Sequence, residues 1–231
     1  TMENMGADSI CIKDMAGLIS PYDAAELVGK LKEKLNIPVQ LHCHFTSGMA
    51  DMSYLKAIEA GCDVIDTAIS SLSLGSSQPA TDSMVAALKG TPCDTGLDLE
   101  RIARIGDYFK EIRGNYEIPL HVVMGVDTAV LTYQIPGGMI SNLTSQLASQ
   151  NASHLLGEVL QEVPRVRAEL GYPPLVTPSS QIVGTQAVMN VITGGRYKVI
   201  LTEVKNYLKG LYGRPPGEVD PDLLKKVLKD E

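Results

Sequence analysis

The sequence predicts an α/β fold followed by a mainly helical region. In the first part of the chain, apolar runs of strand length alternate with segments of helical periodicity, which is the pattern of βαβ units in a parallel sheet. Near residue 140 the pattern changes, and helical segments then follow one another without strands between them. We therefore expect one domain over residues 1–140 and a second, mainly helical domain over residues 141–231.

Three strand-like runs, each followed by a helix, define the first part. The runs cover Ser9–Lys13, Val39–Phe45 and Asp63–Ile69. The first helix begins at Ser20 and Pro21, because serine caps a helix and proline suits the first helical position. Further helices are expected over 48–60, 81–89 and from Asp98 onward. Their periodicity predicts inward side chains that include Leu55 and, after Asp98, Leu99, Ile102, Tyr108, Phe109 and Ile112.

Helical periodicity also covers most of the second part. It runs from Asn142 to Leu170. Within this range an interruption is expected at Pro164, because proline lacks a backbone donor. Breaks rich in glycine and proline then separate further helices over 185–192, 198–211 and 221–228.

The parallel sheet could belong to a doubly wound fold or to a (β/α)8 barrel. No G-x-G-x-x-G motif follows a strand, which disfavours a dinucleotide-binding sheet. Polar groups instead follow the carboxyl ends of the strands, where barrel enzymes keep their active sites. A complete barrel needs about 250 residues. We therefore interpret the first part as the C-terminal part of a barrel whose opening strands are absent from this sequence.

Composition argues against several classes of function. The 231 residues are 44% hydrophobic and 20% charged, which is typical of a globular protein. A net charge of −7 disfavours nucleic acid as a partner, because phosphates are bound by basic surfaces. The apolar stretches are too short to cross a bilayer, and the four cysteines show no C-x-x-C pairing. We expect a cytoplasmic protein that does not insert into a membrane.

His42 and His44 form a candidate metal site. They end a predicted strand, and the alternation of strand side chains places both on one face. Two imidazoles so arranged can bind one divalent ion, such as zinc, cobalt, manganese or iron. A pair of structural histidines is the alternative. His121 and His154 have no partner at ligand spacing, and we expect them to be structural or surface residues.

Lys13 ends the first strand-like run, about one βα unit before the histidine pair. It could therefore lie level with the histidines on an adjacent parallel strand. A neutral lysine amine can attack a carbonyl, or it can add carbon dioxide to form a carbamate that offers an oxygen ligand. An ordinary surface lysine is the alternative. The neighbouring Asp14 could accept from a ligating imidazole, although we expect a turn-forming role.

The polar loop Ser71–Gln78 follows the third strand-like run and is expected at the same end of the sheet. Its hydroxyls could relay a proton or bind a carboxylate. An ordinary connecting loop is the alternative.

Several strings resemble the carboxyltransferase of biotin-dependent enzymes. They are Cys11–Leu18, Leu41–Ala50, Ser76–Pro79, Tyr133–Met139, Gly171–Pro178, Gln181–Gln186 and Leu211–Pro216. That family comprises the oxaloacetate decarboxylase α subunit, the carboxyltransferase part of pyruvate carboxylase, including its form as a separate polypeptide, and the 5S subunit of transcarboxylase. The resemblance covers nearly the whole chain. Phe45, directly after the second histidine, favours a separate carboxyltransferase subunit.

The resemblance implies a TIM barrel followed by a mainly helical domain. In the family, a divalent metal (Zn, Mn or Co) is held by a first-strand aspartate, a carbamylated lysine and two histidines. The lysine matches Lys13 and the histidines match His42 and His44. Ser76 stands where the family has a threonine that carries a proton between biotin and the enolate of pyruvate. The first-strand aspartate has no counterpart in this sequence.

The implied activity is metal-dependent carboxyl transfer between carboxybiotin and pyruvate or oxaloacetate, through an enolpyruvate intermediate. Biotin would arrive on a carrier protein or domain, and the chain would belong to a homo-oligomer or multi-subunit complex. We expect the isolated chain to be inactive. One alternative is a metal-dependent acyl-CoA lyase or Claisen-type enzyme of the related barrel superfamily. Another is a non-catalytic module that serves in assembly or carrier docking.

Overall fold

The computed structural model describes residues 2–116 and 125–229. The chain forms two compact units, Thr1–Thr132 and Tyr133–Glu231. The division comes slightly before the boundary expected at residue 140. The reason is that Ile135 and Met139 are buried in the hydrophobic core of the second unit. His121 lies outside the described residues.

A parallel sheet organises the first unit. Its strands β1 (Ile10–Asp14), β2 (Val39–Cys43) and β3 (Val64–Ile65) are hydrogen-bonded in that order. The predicted alternation of parallel strands and helices is confirmed. β3 is shorter than the predicted run over 63–69, because the chain turns away from β2 and Ala68 forms a single parallel bridge with Ala80.

The helices of the first unit follow the strands closely. They are α1 (Pro21–Lys32), α2 (Ala50–Glu59), α3 (Thr81–Leu88) and α4 (Leu99–Arg113), and the short α5 (Val130–Tyr133) extends across the division. The predicted caps at Ser20 and Asp98 are confirmed. The Ser20 hydroxyl accepts from the Asp23 N–H, and the Asp98 carboxylate accepts from the N–H groups of Glu100 and Arg101.

The core of the first unit lies where α1 and α2 pack beside β2. Each element contributes apolar side chains, of which Tyr54 is the largest, and the fully buried set comprises Ala24, Val28, Val39, Leu41, Cys43, Ala50, Tyr54 and Ala57. The predicted inward positions Leu55 and Tyr108 are wrong, because these side chains are 41% and 60% exposed. In α4 the buried positions are Ile102, as predicted, and Gly106.

The second unit is helical, as predicted. Its helices are α6 (Gly137–Ser149), α7 (Leu156–Glu169), α8 (Ser179–Ile192), α9 (Thr202–Leu208) and α10 (Pro221–Lys229). The interruption expected at Pro164 is wrong, because α7 continues through this proline. The helical segment is interrupted earlier, around Asn151. Burial of Val163 and Val166 on either side of the proline stabilises the continuous helix. In the described ranges no helix combines the length and the apolar character needed to span a bilayer.

Candidate active site

Lys13 and His42 lie side by side on neighbouring strands. The register of β1 and β2 pairs Lys13 with His42 directly, and adjacent strands are separated by about 4.8 Å. The prediction that Lys13 lies level with the histidines on an adjacent parallel strand is therefore confirmed. The Lys13 side chain is exposed.

The two histidine rings share one face at the carboxyl end of β2. Their centroids are 5.1 Å apart and the rings meet edge to face. His44 lies just beyond the last residue of β2, where its N–H donates to the Asp14 carbonyl at 3.0 Å. This backbone bond continues the β1–β2 ladder by one step, and so the alternation of side chains extends to His44.

Both imidazoles use the Nδ1 atom for an oxygen acceptor. His42 Nδ1 is 2.7 Å from Asp66 Oδ2, and His44 Nδ1 is 2.6 Å from the Ser76 carbonyl oxygen. A carboxylate and a carbonyl can only accept, so in each neutral ring the proton lies on Nδ1. Nε2 then carries the lone pair in both rings, which is the form that binds a metal.

Electrostatics keep His44 neutral. Burial lowers the pKa of His44 below its ordinary value of 6.5, and positive charge on His42 and Lys13 acts in the same direction. The hydrogen bond to Ser76 opposes these effects without outweighing them. His44 is therefore unprotonated at neutral pH, which is the state that a ligating imidazole must have.

The polar loop lies directly against the histidines. Besides the Ser76 contact, the Ser77 carbonyl accepts from the Phe45 N–H at 2.7 Å. Gln78 Nε2 is 3.4 Å from His42 Nε2, and the Ser77 hydroxyl donates to Gln78 Oε1 at 3.3 Å. The expectation that this loop lies at the same end of the sheet as the histidines is confirmed.

Asp14 forms a turn, as expected, and within residues 2–116 and 125–229 its carboxylate makes no hydrogen bond to an imidazole. Its carboxylate accepts four backbone N–H groups, at distances of 2.6–3.1 Å, from Ala16, Gly17, Leu18 and Ile19. The second oxygen also lies 3.5 Å from the Cys43 thiol. Burial, followed by the Asp14 charge, raises the pKa of Cys43, which remains a neutral thiol.

Three site residues were missed by sequence reasoning. Asp66 holds His42, Gln40 Nε2 donates to Asp66 Oδ1 at 2.6 Å, and Gln78 faces His42 Nε2. The strand pattern contained a signal for Asp66. In the observed register of β2 and β3, Leu41 pairs with Ile65, so the next residue of each segment places Asp66 opposite His42. Lys13 lies opposite His42 on the β1 side of β2.

The donor atoms suit a divalent metal, although protein carboxylates do not complete the site. Within residues 2–116 and 125–229, no group of three or more His, Cys, Asp and Glu side chains is placed to hold a metal. The imidazoles of His42 and His44, with Lys13 paired to His42 in the strand register, therefore form a partial donor set. His154 is exposed in the second unit.

Family models match both halves of the chain. A model described as HMGL-like matches residues 1–108, and one described as a conserved carboxylase domain matches residues 130–231. A pyruvate carboxylase subunit of Methanocaldococcus jannaschii is 58% identical over 99% of this chain. The chain belongs to the carboxyltransferase family of biotin-dependent enzymes. The resemblance expected from the sequence is confirmed.

Other members of the carboxyltransferase family share most of this chain. The 2-oxoglutarate carboxylase large subunit of Hydrogenobacter thermophilus is 47% identical over 97% of it. A structure of the carboxyl transferase domain of Rhizobium etli pyruvate carboxylase with pyruvate and biocytin matches all of it, with a TM-score of 0.90 and 36% identity. The chain spans 41% of the Methanocaldococcus subunit, 35% of the Hydrogenobacter subunit and 40% of the Rhizobium chain.

Proposed function

We propose that this chain forms the metal-holding part of an enzyme that transfers a carboxyl group between carboxybiotin and pyruvate or oxaloacetate. The observation that carries the proposal is the pairing of Lys13 with His42 beside His44 in a chain of this family. A biotinylated carrier domain would be the partner, within a larger multi-subunit assembly. β1–β3 would be consecutive strands of a TIM barrel, which their parallel order and the Rhizobium match support.

The metal-holding residues of this proposal are Lys13, His42 and His44. The histidines contribute Nε2 because Nδ1 is occupied in both rings. The Lys13 ammonium first loses a proton, and the neutral amine then bonds to the carbon of CO2 and loses a second proton, which gives a carbamate anion in place of a cation. Zinc, manganese or cobalt bound there would act as a Lewis acid that stabilises negative charge on the keto oxygen of pyruvate.

Ser76 is the proposed proton carrier. As the carboxyl group leaves the biotin nitrogen and bonds to the methyl carbon of pyruvate, one proton passes from that carbon to the nitrogen. The contact between the Ser76 carbonyl and His44 supports this role, because it holds the residue beside the proposed metal ligands. Ser77 is a matched control, since its hydroxyl bonds within the loop to Gln78.

The test uses the full-length protein that carries this chain. Lys13→Ala should lose bound metal by elemental analysis and lose oxaloacetate decarboxylation, while exposed Lys34→Ala keeps both. Electron density beyond the Lys13 Nζ atom would support the carbamate. Ser76→Ala should keep its metal and lose about 10²–10⁴-fold in kcat, more than Ser77→Ala. Full metal content in Lys13→Ala would overturn the proposed site.

An acyl-CoA lyase or Claisen-type activity is the second candidate. The HMGL-like match over residues 1–108 favours it, whereas the carboxylase match over residues 130–231 favours carboxyl transfer. Cleavage of acyl-CoA substrates without any biotin-dependent exchange of oxaloacetate would decide for the lyase.

A further inference from the structure

We propose that Asp66, held in place by Gln40, is a positioning residue that keeps the proton of His42 on Nδ1 and the lone pair on Nε2. Its consequence for metal binding rests on the proposed function, in which His42 Nε2 is a ligand. The arrangement of protons in the ring does not depend on a metal, and it can be measured separately.

The Asp66 carboxylate divides its two oxygens between two partners. Oδ2 lies 2.7 Å from His42 Nδ1, and Oδ1 accepts from Gln40 Nε2 at 2.6 Å. Gln40 and His42 are two residues apart on β2, so both side chains point to the same face. Gln40 therefore fixes the rotation of the carboxylate that His42 meets.

The backbone around Asp66 is held as firmly as its side chain. The Asp66 N–H donates to the Leu41 carbonyl at 3.1 Å, which continues the β2–β3 ladder. The hydroxyl of the fully buried Tyr54 donates to the Asp66 carbonyl at 2.6 Å and accepts from the Cys43 N–H at 2.9 Å. Tyr54 thus ties Asp66 to the residue that follows His42.

This arrangement selects one tautomer of His42. A carboxylate has no proton to donate, so it stabilises an N–H group at Nδ1. The other tautomer would place the lone pair of His42 Nδ1 against a lone pair of Asp66 Oδ2. The partly buried Asp66 carboxylate would then lose its hydrogen bond from His42. On the opposite side of the ring, Gln78 Nε2 approaches His42 Nε2 as a donor, because Gln78 Oε1 accepts from Ser77. Both contacts favour a lone pair on Nε2.

The first test measures the tautomer without metal. In ¹⁵N-labelled, metal-free full-length protein at mildly alkaline pH, long-range ¹H–¹⁵N spectra should show His42 with a protonated Nδ1. Asp66→Ala should shift His42 toward the Nε2–H form, and Asp66→Asn, whose side-chain oxygen still accepts, should shift it less. An unchanged tautomer in Asp66→Ala, or an Nε2–H ring in the unsubstituted protein, would overturn the inference.

The second test measures affinity for Co²⁺ alone, by titration of its visible absorption. Asp66→Ala should weaken binding by about 10- to 100-fold, the usual effect of removing the partner of a ligating histidine, and Gln40→Leu should weaken it less. The control is Asp63→Ala, which removes a nearby carboxylate that binds Lys32 and the Val39 N–H. Circular dichroism confirms that each variant is folded.

The two tests separate the possible failures. If the unsubstituted protein binds no Co²⁺, the metal site of the proposed function is wrong, and the tautomer spectra still decide the role of Asp66. If Co²⁺ binds equally well to Asp66→Ala and to the unsubstituted protein, the positioning role is wrong while the metal site stands. Equal weakening in Asp63→Ala and Asp66→Ala would also overturn the inference, because the effect would then be one of general charge.

Discussion

Gly17 allows the Asp14 turn to lie directly against the backbone of His44. Its φ is +69°, and a Cβ atom there would come within 2.3 Å of the His44 carbonyl oxygen. The turn is also held to the next segment, because the buried Ser47 hydroxyl donates to the Gly17 carbonyl. The position of His44 thus depends on a residue without a side chain.

Replacement of Gly17 should affect both folding and the site. We expect Gly17→Ala to lower the free energy of unfolding by about 1–3 kcal/mol, because of the strained φ and the clash, and to weaken Co²⁺ binding. Gly29→Ala is the control, since it lies in α1 with no atom within 4 Å of the added Cβ. It should raise stability by about 0.5–1 kcal/mol. Chemical denaturation measures both, and a Gly17→Ala protein as stable as the original would contradict the prediction.

Asp63 connects three elements of the first unit. Asp63 lies directly before β3. Its Oδ2 accepts at 2.7 Å from Nζ of Lys32, the last residue of α1, and at 2.8 Å from the N–H of Val39, the first residue of β2. The hydrogen bond from Lys32, followed by that from Val39, lowers the pKa of Asp63 below 3.8. The charged carboxylate therefore stabilises the folded state.

This depressed pKa predicts how stability depends on pH. The contribution of Asp63 is complete above pH 3.8, the value in the unfolded chain, and is lost as the pH falls through the lower folded value. Asp63→Asn should therefore be less stable at neutral pH by up to about 1 kcal/mol, as for an exposed pair. The difference from the original protein should shrink in denaturation curves below pH 3.8. A difference that grows with acidity would have the wrong sign.

A buried polar cluster joins α7 and α8 in the second unit. Glu162 is only 5% exposed, and its Oε1 accepts from Asn190 Nδ2 at 2.8 Å and from Arg196 Nε at 2.7 Å. Asn190 Oδ1 in turn accepts from Gln186 and from the Tyr197 N–H, each at 2.9 Å. These bonds fix the segment after α8 against the two helices.

Removal of the Glu162 carboxylate should destabilise the second unit. Glu162→Leu leaves Asn190 and one Arg196 donor without their acceptor, and we expect a loss of about 1–3 kcal/mol. Glu162→Gln keeps one acceptor oxygen and should lose less. Arg165→Ala is the control, because that side chain is 67% exposed and lies 3.8 Å from Glu162; its effect should stay within about 0.5 kcal/mol. Thermal denaturation compares the three, and equal effects would contradict this assignment.

At the scale of the whole molecule, the first unit presents an open sheet edge. Among the described residues, β1 pairs with β2 on one side and with no strand on the other. An unpaired edge offers a row of free backbone donors and acceptors to a further strand. The chain also spans only 41% of the Methanocaldococcus subunit.

We therefore expect the chain by itself to catalyse no carboxyl transfer. The purified 231-residue polypeptide should show no biotin-dependent decarboxylation of oxaloacetate, and the full-length protein that carries it should show this activity. The measurement is the rate of oxaloacetate loss with and without added biotin. Turnover by the 231-residue polypeptide alone would refute the prediction.

Local pattern was enough to predict most of the elements and part of the site. The helix starts at Ser20 and Asp98 follow from cap chemistry, and the shared face of His42 and His44 follows from strand alternation. Leu55 and Tyr108 were misplaced because a periodicity shows that an apolar stripe exists, while the neighbouring elements decide which stripe is buried.

By itself, the sequence determined the family, the parallel strand–helix order and the candidate residues Lys13, His42 and His44, since these depend on local pattern and on motifs. Only the tertiary structure decided that Asp66 and the Ser76 carbonyl occupy the two Nδ1 atoms. These contacts join segments that are far apart in the chain, and they depend on the register between strands and on the path of the loop.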